Sequence, residues 1–535
     1  DQPIQDRPIS HRPIPDRPPE AAAPSGWSRH AGWAIGVGLV IFTVALRLVN
    51  VGGAYDLVQD EVNYVDLGTS LGHGVFPPVF SGSGPFLLHP PLFFALGAGW
   101  QMLFHPSGGY FHLVATIRVL NVVCAGVSAG CLYALGTRLG RRITGVAALL
   151  LFALDPYVLR QNGRALLETS TVMFVLLGSV LLVRLCQERA VRPRLVAVTG
   201  GLLLGVSLVG KDMAALLVVP PLLVLFWRRW ELPRRLSSLA LVASVVPFAA
   251  YVVALAAVGS LPAFWSQETA GIRRLLGQEK STGFSKAGSP SLVHTIVVQL
   301  TSFGATYVVL GLGVLGAFYV LVRRHDAAAR LMSVVTLFGA ATIFYALFFG
   351  TIEEQFLYFL LVPALLSLAM GGTLLAERVA GAGAGRPGTR TWAKARLRTR
   401  ARTRTLLVLL AIVSLYNLGV WAHVRRSPDH GLQRVTAWCQ AHDPNPGLIG
   451  NDTQVTVYAL QHSGLPATLI GAPRAAAAEH IRYLTVLPTE TAGNYGALDQ
   501  AQEKFYEDHG RRVFSFHEAT FGDVQIYRTT DPSVW

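Results

Sequence analysis

The chain has 535 residues, 52% hydrophobic and 14% charged, with a formal net charge of +14, and its mean hydropathy is +0.43. Soluble domains carry about 25% charged residues, so this composition excludes an ordinary soluble globule and points to a polytopic membrane protein. The basic residues sit in short loops between apolar runs, where they act as orientation signals, so the positive balance implies no nucleic-acid partner.

In chain order, residues 1–31 repeat Pro-Ile and Asp-Arg-Pro units that cannot bury a core, and they read as a disordered cytoplasmic tail. Apolar runs follow at about 32–51, 112–137, 143–159, 166–186, 195–210, 213–227, 236–258, 294–322, 331–349, 355–376 and 405–423. A bilayer span needs about 20 such residues, so about 11 transmembrane helices are predicted. Every second run ends in a basic loop: Arg138, Arg141 and Arg142; Arg189, Arg192 and Arg194; Arg228, Arg229, Arg234 and Arg235; Arg323, Arg324 and Arg330; then the Arg-rich stretch 377–405. Basic loops stay in the cytoplasm. The N-terminus is therefore expected inside and residues 424–535 outside. Arg far exceeds Lys, and Ala, Gly and Val abound, as in a GC-rich bacterium, so the expected location is a bacterial plasma membrane.

The runs 195–210 and 213–227 are short. About fifteen residues rise about 22 Å, less than the roughly 30 Å core, so Lys211 between them must face a polar cavity rather than lipid. Beyond residue 424, "HGLQRVTAWCQAH" and "NDTQVTVYALQHSG" read as helices, while "RYLTVLP" and "VFSFHEATFGDVQIYRTT" read as a strand and a hairpin. The expected fold is mostly α: a tail (1–31), a transmembrane domain (32–423) with outer loops 52–111 and 259–293, and a small extracytoplasmic α/β domain (424–535). Of the four cysteines, Cys124, Cys131 and Cys186 lie in apolar runs and only Cys439 lies beyond them, so no disulfide framework is expected there.

The outer face collects charge. "YDLVQDEVNYVDLGTSLGHG", directly after the first run, carries Asp56, Asp60, Glu61 and Asp66, and His89 stands in "LLHPPLFF" of the same loop. "LDPYVLRQNGRALLET" holds Arg160, Arg164 and Glu168, and the four-residue spacing predicts that Arg164 and Glu168 share a helix face. Lys211 follows, then Arg273 and Arg274 in the loop 259–293, then Glu353, Glu354 and Tyr358 in "TIEEQFLYF". Arg118 lies inside an apolar run. Juxtamembrane charges of this kind are costly and mark function. Carboxylates can act as a general base or bind a hard cation, and Arg and Lys can grip phosphate. The combination suits a lipid phosphate whose head group is processed outside.

Taken together, the Asp-Glu pair after the first span, "HPPLFF", the Arg-plus-acid turn, "GLLLGVSLVGKDMAALLVVP" and "EEQFLYFLLVPAL" resemble the GT-C superfamily. Within it they are similar to glycosyltransferase family 39 (protein O-mannosyltransferase-like) and the lipid A aminoarabinose transferases, over roughly residues 32–376. The resemblance implies a polyprenyl-phosphate sugar donor, with mannose or arabinofuranose passed with inversion to an acceptor hydroxyl on a glycan, protein, lipid or natural product. It implies Asp60 as general base, with Glu61 supporting it or holding, with Asp60, a divalent metal such as Mg or Mn. It places Glu168 at the second acidic position, where relatives usually have Asp. It puts His89, Lys211 and one of Arg273 and Arg274 at the donor phosphate, joined by Arg164, and Tyr64, Glu353, Glu354 and Tyr358 around the acceptor cavity. A single base with cationic support is enough, because a phosphate leaving group needs its charge stabilised but no proton donor. No P-loop or Gly-rich nucleotide motif is present, which fits a lipid-linked donor. The competing reading is a transporter or flippase of a lipid-linked saccharide. It predicts midplane charges and an internal repeat, whereas these charges gather at one face.

Overall fold

The computed structural model describes residues 26–529 except 81–83, 188–190, 231, 276–277, 279–290, 344–353, 382–388, 428, 444–446, 472 and 493–495. The proposed tail lies outside the described residues up to 25, and helix α1 (Gly26–Leu48) already starts inside it. Next come α2 (Gln59–Gly72) and α3 (Leu92–Phe104), both within the loop 52–111, then α4 (Tyr110–Leu139), α5 (Arg142–Leu154), α6 (Pro156–Asn162) and α7 (Leu167–Gln187). The chain continues through α8 (Pro193–Leu208), α9 (Ala215–Arg228), α10 (Arg234–Ala257), α11 (Leu261–Leu275), α12 (Leu292–Arg323), α13 (Ala327–Gly339), α14 (Glu354–Gly381) and α15 (Thr389–Arg426).

Each apolar run of the sequence falls on one or two of these helices, except that 344–349 of the run 331–349 lie outside the described residues. Among the described residues, six helices are long and apolar enough to cross a membrane, or seven if a bent pair counts as one, with shorter apolar helices beside them. The bent pair corrects the expectation of one straight span at 143–159: α5 and α6 meet at 67°. Asp155 causes the break. It is extended, its Oδ1 accepts the Val158 N–H at 3.0 Å as the N-cap of α6, and Pro156 follows at N1. Its Oδ2 accepts from Thr306 at 2.9 Å, which ties the bend to α12.

Small residues set the helix contacts. A Cβ on Gly201 or Gly205 of α8 would strike the backbone carbonyls of Ala240 and Ser244 on α10, and one on Gly313 would strike Ala364 on α14. Such close backbone approach is typical of helix packing in lipid. Arg47, fully buried at the end of α1, donates to the carbonyls of Thr43, Phe152 and Ala153 and, at 3.0 Å, to Asn162 Oδ1. The guanidinium therefore satisfies the frayed carbonyls where α5 ends.

The C-terminal part begins with α16 (Gly431–His442), followed by β1 (Ile449–Asn451), α17 (Gln454–Gln461), β2 (Ala467–Leu469) and β3 (Tyr483–Val486), and ends in the hairpin β4 (Gly510–Glu518) and β5 (Gly522–Thr529). The sheet order is β2-β1-β3-β5-β4, parallel across the first three strands and antiparallel beyond. The predicted helices, strand and hairpin all appear, except that "NDTQVTVYALQHSG" splits into the end of β1 and α17. Its apolar core is continuous with that of the outer loop. Leu57, Val62 and Phe94 belong to the same buried cluster as Leu432, Val435, Ile449 and Val524.

Candidate active site

The first turn of α2 holds Gln59, Asp60 and Glu61 at the positive end of the helix, where carboxylates are favoured. Asp60 is half-buried. Tyr64, one turn on and on the same face, stands edge-on to His89 with ring centroids 6.0 Å apart. The segment carrying His89 is pinned on both sides. Leu87 N–H donates to Gln267 Oε1 and Gln267 Nε2 donates to the Pro85 carbonyl, each at 2.8 Å. Leu92 N–H donates to the Val209 carbonyl at 3.0 Å. That last bond joins the loop to the turn between α8 and α9, where Lys211 forms a buried ion pair with Glu168. The Lys211 ammonium also lies 4.8 Å from the centre of the Phe356 ring. The second oxygen of Glu168 is buried with no hydrogen-bond partner among the described residues.

Glu61 closes the ring of contacts. Its Oε1 accepts from Arg118 Nε at 2.8 Å and from Ala165 N at 2.6 Å; its Oε2 accepts from Arg118 Nη2 at 2.7 Å and Val58 N at 3.3 Å. Ala165 lies in the loop leading to Glu168, a loop also held by Asn121 Nδ2 on the carbonyls of Arg164 and Leu166, each at 2.6 Å. Asp60, Tyr64, His89, Lys211 and Glu168 are thus carried on segments cross-linked to one another in a circuit.

Several expectations change. Glu61 is not available to substrate or metal, because both oxygens are filled by Arg118 and backbone N–H groups in a wholly buried pair. Nor do the described residues offer a metal site: no three His, Cys, Asp or Glu side chains come together to hold an ion. Arg164 and Glu168 do not share a helix face, because α6 ends before Gly163 and α7 starts only at Leu167. Glu168 turns to Lys211. Arg164 turns away toward the C-terminal domain, with its guanidinium 5.4 Å from the Tyr55 ring and Nη2 3.3 Å from Thr520 Oγ1. Tyr358 lines no cavity: it is fully buried, its hydroxyl accepting from Asn162 at 2.8 Å. Arg273 is exposed on α11. Glu353 and the side chains of Arg274 and Glu354 lie outside the described residues.

Two groups escaped the sequence reading. Arg118 was visible only as a lone cation in an apolar run, a signal that a partner must exist. Glu268 on α11 has a buried Oε1 with no hydrogen-bond partner among the described residues, and burial, with the nearby Asp212 charge, pushes its carboxyl up to about 8. Nothing in its local sequence marks it.

Comparison with known proteins bears on the fold. A family model described as dolichyl-phosphate-mannose-protein mannosyltransferase matches residues 88–256, the segment that includes His89, Glu168 and Lys211. No curated protein matches in sequence. Among solved structures, the oligosaccharyltransferase AglB of Archaeoglobus fulgidus, in complex with an inhibitory peptide and a dolichol-phosphate, is similar with a TM-score of 0.60 at 13% identity, over 95% of this chain and 75% of that one. ArnT of Cupriavidus metallidurans, bound to undecaprenyl phosphate, is similar with a TM-score of 0.51 at 13% identity, over 96% of this chain and 99% of that one. The chain has the fold of the GT-C superfamily of membrane glycosyltransferases.

Proposed function

We propose that this protein transfers a sugar from a polyprenyl-phosphate donor to an acceptor hydroxyl at the outer face of a bacterial plasma membrane, with its N-terminus in the cytoplasm. The observation that carries the reading is the placement of a buried Lys211–Glu168 pair on the same circuit of segments as Asp60 and His89. The dolichol-phosphate and undecaprenyl-phosphate complexes of proteins with this fold support the donor class.

In this reading Asp60 takes the proton of the acceptor hydroxyl as its oxygen bonds to the anomeric carbon. The bond from that carbon to the phosphate oxygen breaks, and the polyprenyl phosphate leaves with the electron pair. A single displacement inverts the configuration. Lys211 and His89 meet the growing phosphate charge, and Glu168, paired with Lys211, holds its ammonium in place. Mannose and arabinofuranose are the sugars to test first. The test is transfer from short-chain polyprenyl-phosphate mannose, and in parallel the arabinofuranose donor, to envelope extract by purified protein and by Asp60→Asn. Transfer from one donor that disappears in Asp60→Asn supports reaction and base together. Undiminished transfer in Asp60→Asn removes the base, and no transfer from folded protein with any lipid-phosphate sugar removes the reaction.

A further inference from the structure

The C-terminal domain grips helix α2 at two places, just ahead of its first turn and at its middle. Ahead of the helix, Asp56 Oδ1 accepts the Leu57 N–H and its Oδ2 accepts the Leu432 N–H, each at 2.8 Å. The adjoining N–H, that of Gly431, donates to Glu518 Oε2 at the end of β4. Neighbouring amides at the start of α16 therefore bring the Asp56 and Glu518 carboxyls side by side across the junction, where the helix dipole favours negative charge. Both side chains are buried, and Glu518 Oε1 keeps no other partner among the described residues. Further along α2, Asp66 Oδ2 lies 3.0 Å from His462 Nε2, just past α17, and the His462 ring stacks on Tyr110 at 4.0 Å and 8°. Asp60 lies between these two grips.

We propose that Glu518 and His462 are positioning residues: through Asp56 and Asp66 they fix α2 against the C-terminal domain and so hold Asp60 at the reaction centre. The proposal rests on the function proposed above for its kinetic arm, though not for its structural one. Burial, and then the adjacent Asp56 charge, raise the Glu518 carboxyl far above the ordinary range, while burial raises Asp56 against the pull of the Leu432 N–H. Two adjacent buried carboxyls, both pushed upward, favour keeping one proton between them over carrying two charges. The charged groups around the pair are Asp429 and His430 just ahead of α16, Arg434 on α16, Arg164 before α7 and Arg118 on α4. Around His462 they are Asp66, Tyr110 and Tyr458.

The experiment is amide hydrogen exchange across residues 59–72 in the full-length protein, with kcat and donor KM measured on the same samples, for wild type, Glu518→Ala, Glu518→Gln and His462→Ala. Glu518→Ala and His462→Ala are each expected to speed exchange in α2 by tenfold or more and to lower kcat while donor KM stays within twofold. Glu518→Gln can still accept from Gly431 and donate to Asp56, so it should keep wild-type exchange. It should also abolish the loosening of α2 expected in wild type as pH rises. Unchanged α2 exchange in both alanine variants overturns the proposal, as does a Gln variant as loose as the Ala one. If Glu518→Ala does not fold, the pH dependence of exchange in wild type and Glu518→Gln decides. If wild type transfers no sugar, the function fails and the exchange results alone judge the positioning.

Discussion

A general base must be reachable by its substrate, and adjacent acids on α2 differ in burial. Glu61 spends its acceptor positions on Arg118 and the backbone, whereas Asp60, one residue earlier, remains half-buried on the Tyr64 face. Asp60→Asn should therefore lower kcat by about 10²–10⁴-fold, the usual contribution of acid–base catalysis, while thermal unfolding in detergent stays unchanged. Arg118→Met should behave in the opposite way. It strips the buried Glu61 of its cationic partner and leaves it only the Ala165 and Val58 N–H groups, at a cost of about 3–5 kcal/mol, and the loss should appear first as a lower unfolding temperature. Adding Glu61→Leu to Arg118→Met should restore part of that stability, since removing both charges removes the uncompensated one. A double variant no more stable than Arg118→Met alone would show that the pair's worth lies elsewhere.

Among elements, α8 and α10 meet through glycine. Gly205→Leu should disrupt this contact, because its side chain would have to displace the Ser244 backbone and Pro247, and a fall in thermal stability in detergent should report it. Gly38, in α1 with open space around its Cβ position, is the control. Gly38→Ala should be neutral or stabilising by up to about 1 kcal/mol, the helix-propensity gain over glycine. At this scale the sequence was largely readable. Apolar runs of bilayer length locate the helices, and the short pair around Lys211 announces a polar turn. What local pattern hides is pairing across distance. Glu61 and Arg118 are 57 residues apart, and neither flank names the other. The Arg164–Glu168 spacing misleads because a four-residue rule holds only within an unbroken helix, and Gly163 ends one just before it. The break at Asp155 was written in the Asp-Pro step but lay hidden under continuous hydropathy.

At the scale of the molecule, a shared apolar cluster joins the outer loop to the C-terminal domain, and a proton-sharing carboxyl pair lies at that seam. Because burial raises the Glu518 and Asp56 carboxyls, the folded protein keeps a proton that the unfolded chain has released. By linkage this contribution to stability is present at low pH and lost as pH rises. The unfolding temperature should therefore fall as pH rises from about 4.5 to about 10, and Glu518→Gln, which has no proton to lose, should flatten that slope. An equal slope in wild type and variant would place the titration in another group. The C-terminal domain was legible as an α/β unit, but its grip on Asp56 and Asp66 was not, because positions 429–520 meet the first loop only once the chain has folded back across some 400 residues. That grip bears on inheritance. A C-terminal domain exchanged for that of a relative would meet the wrong partners at 56 and 66, so the two parts must change in step, and homologues should show coupled substitution at 56 with 518 and at 66 with 462.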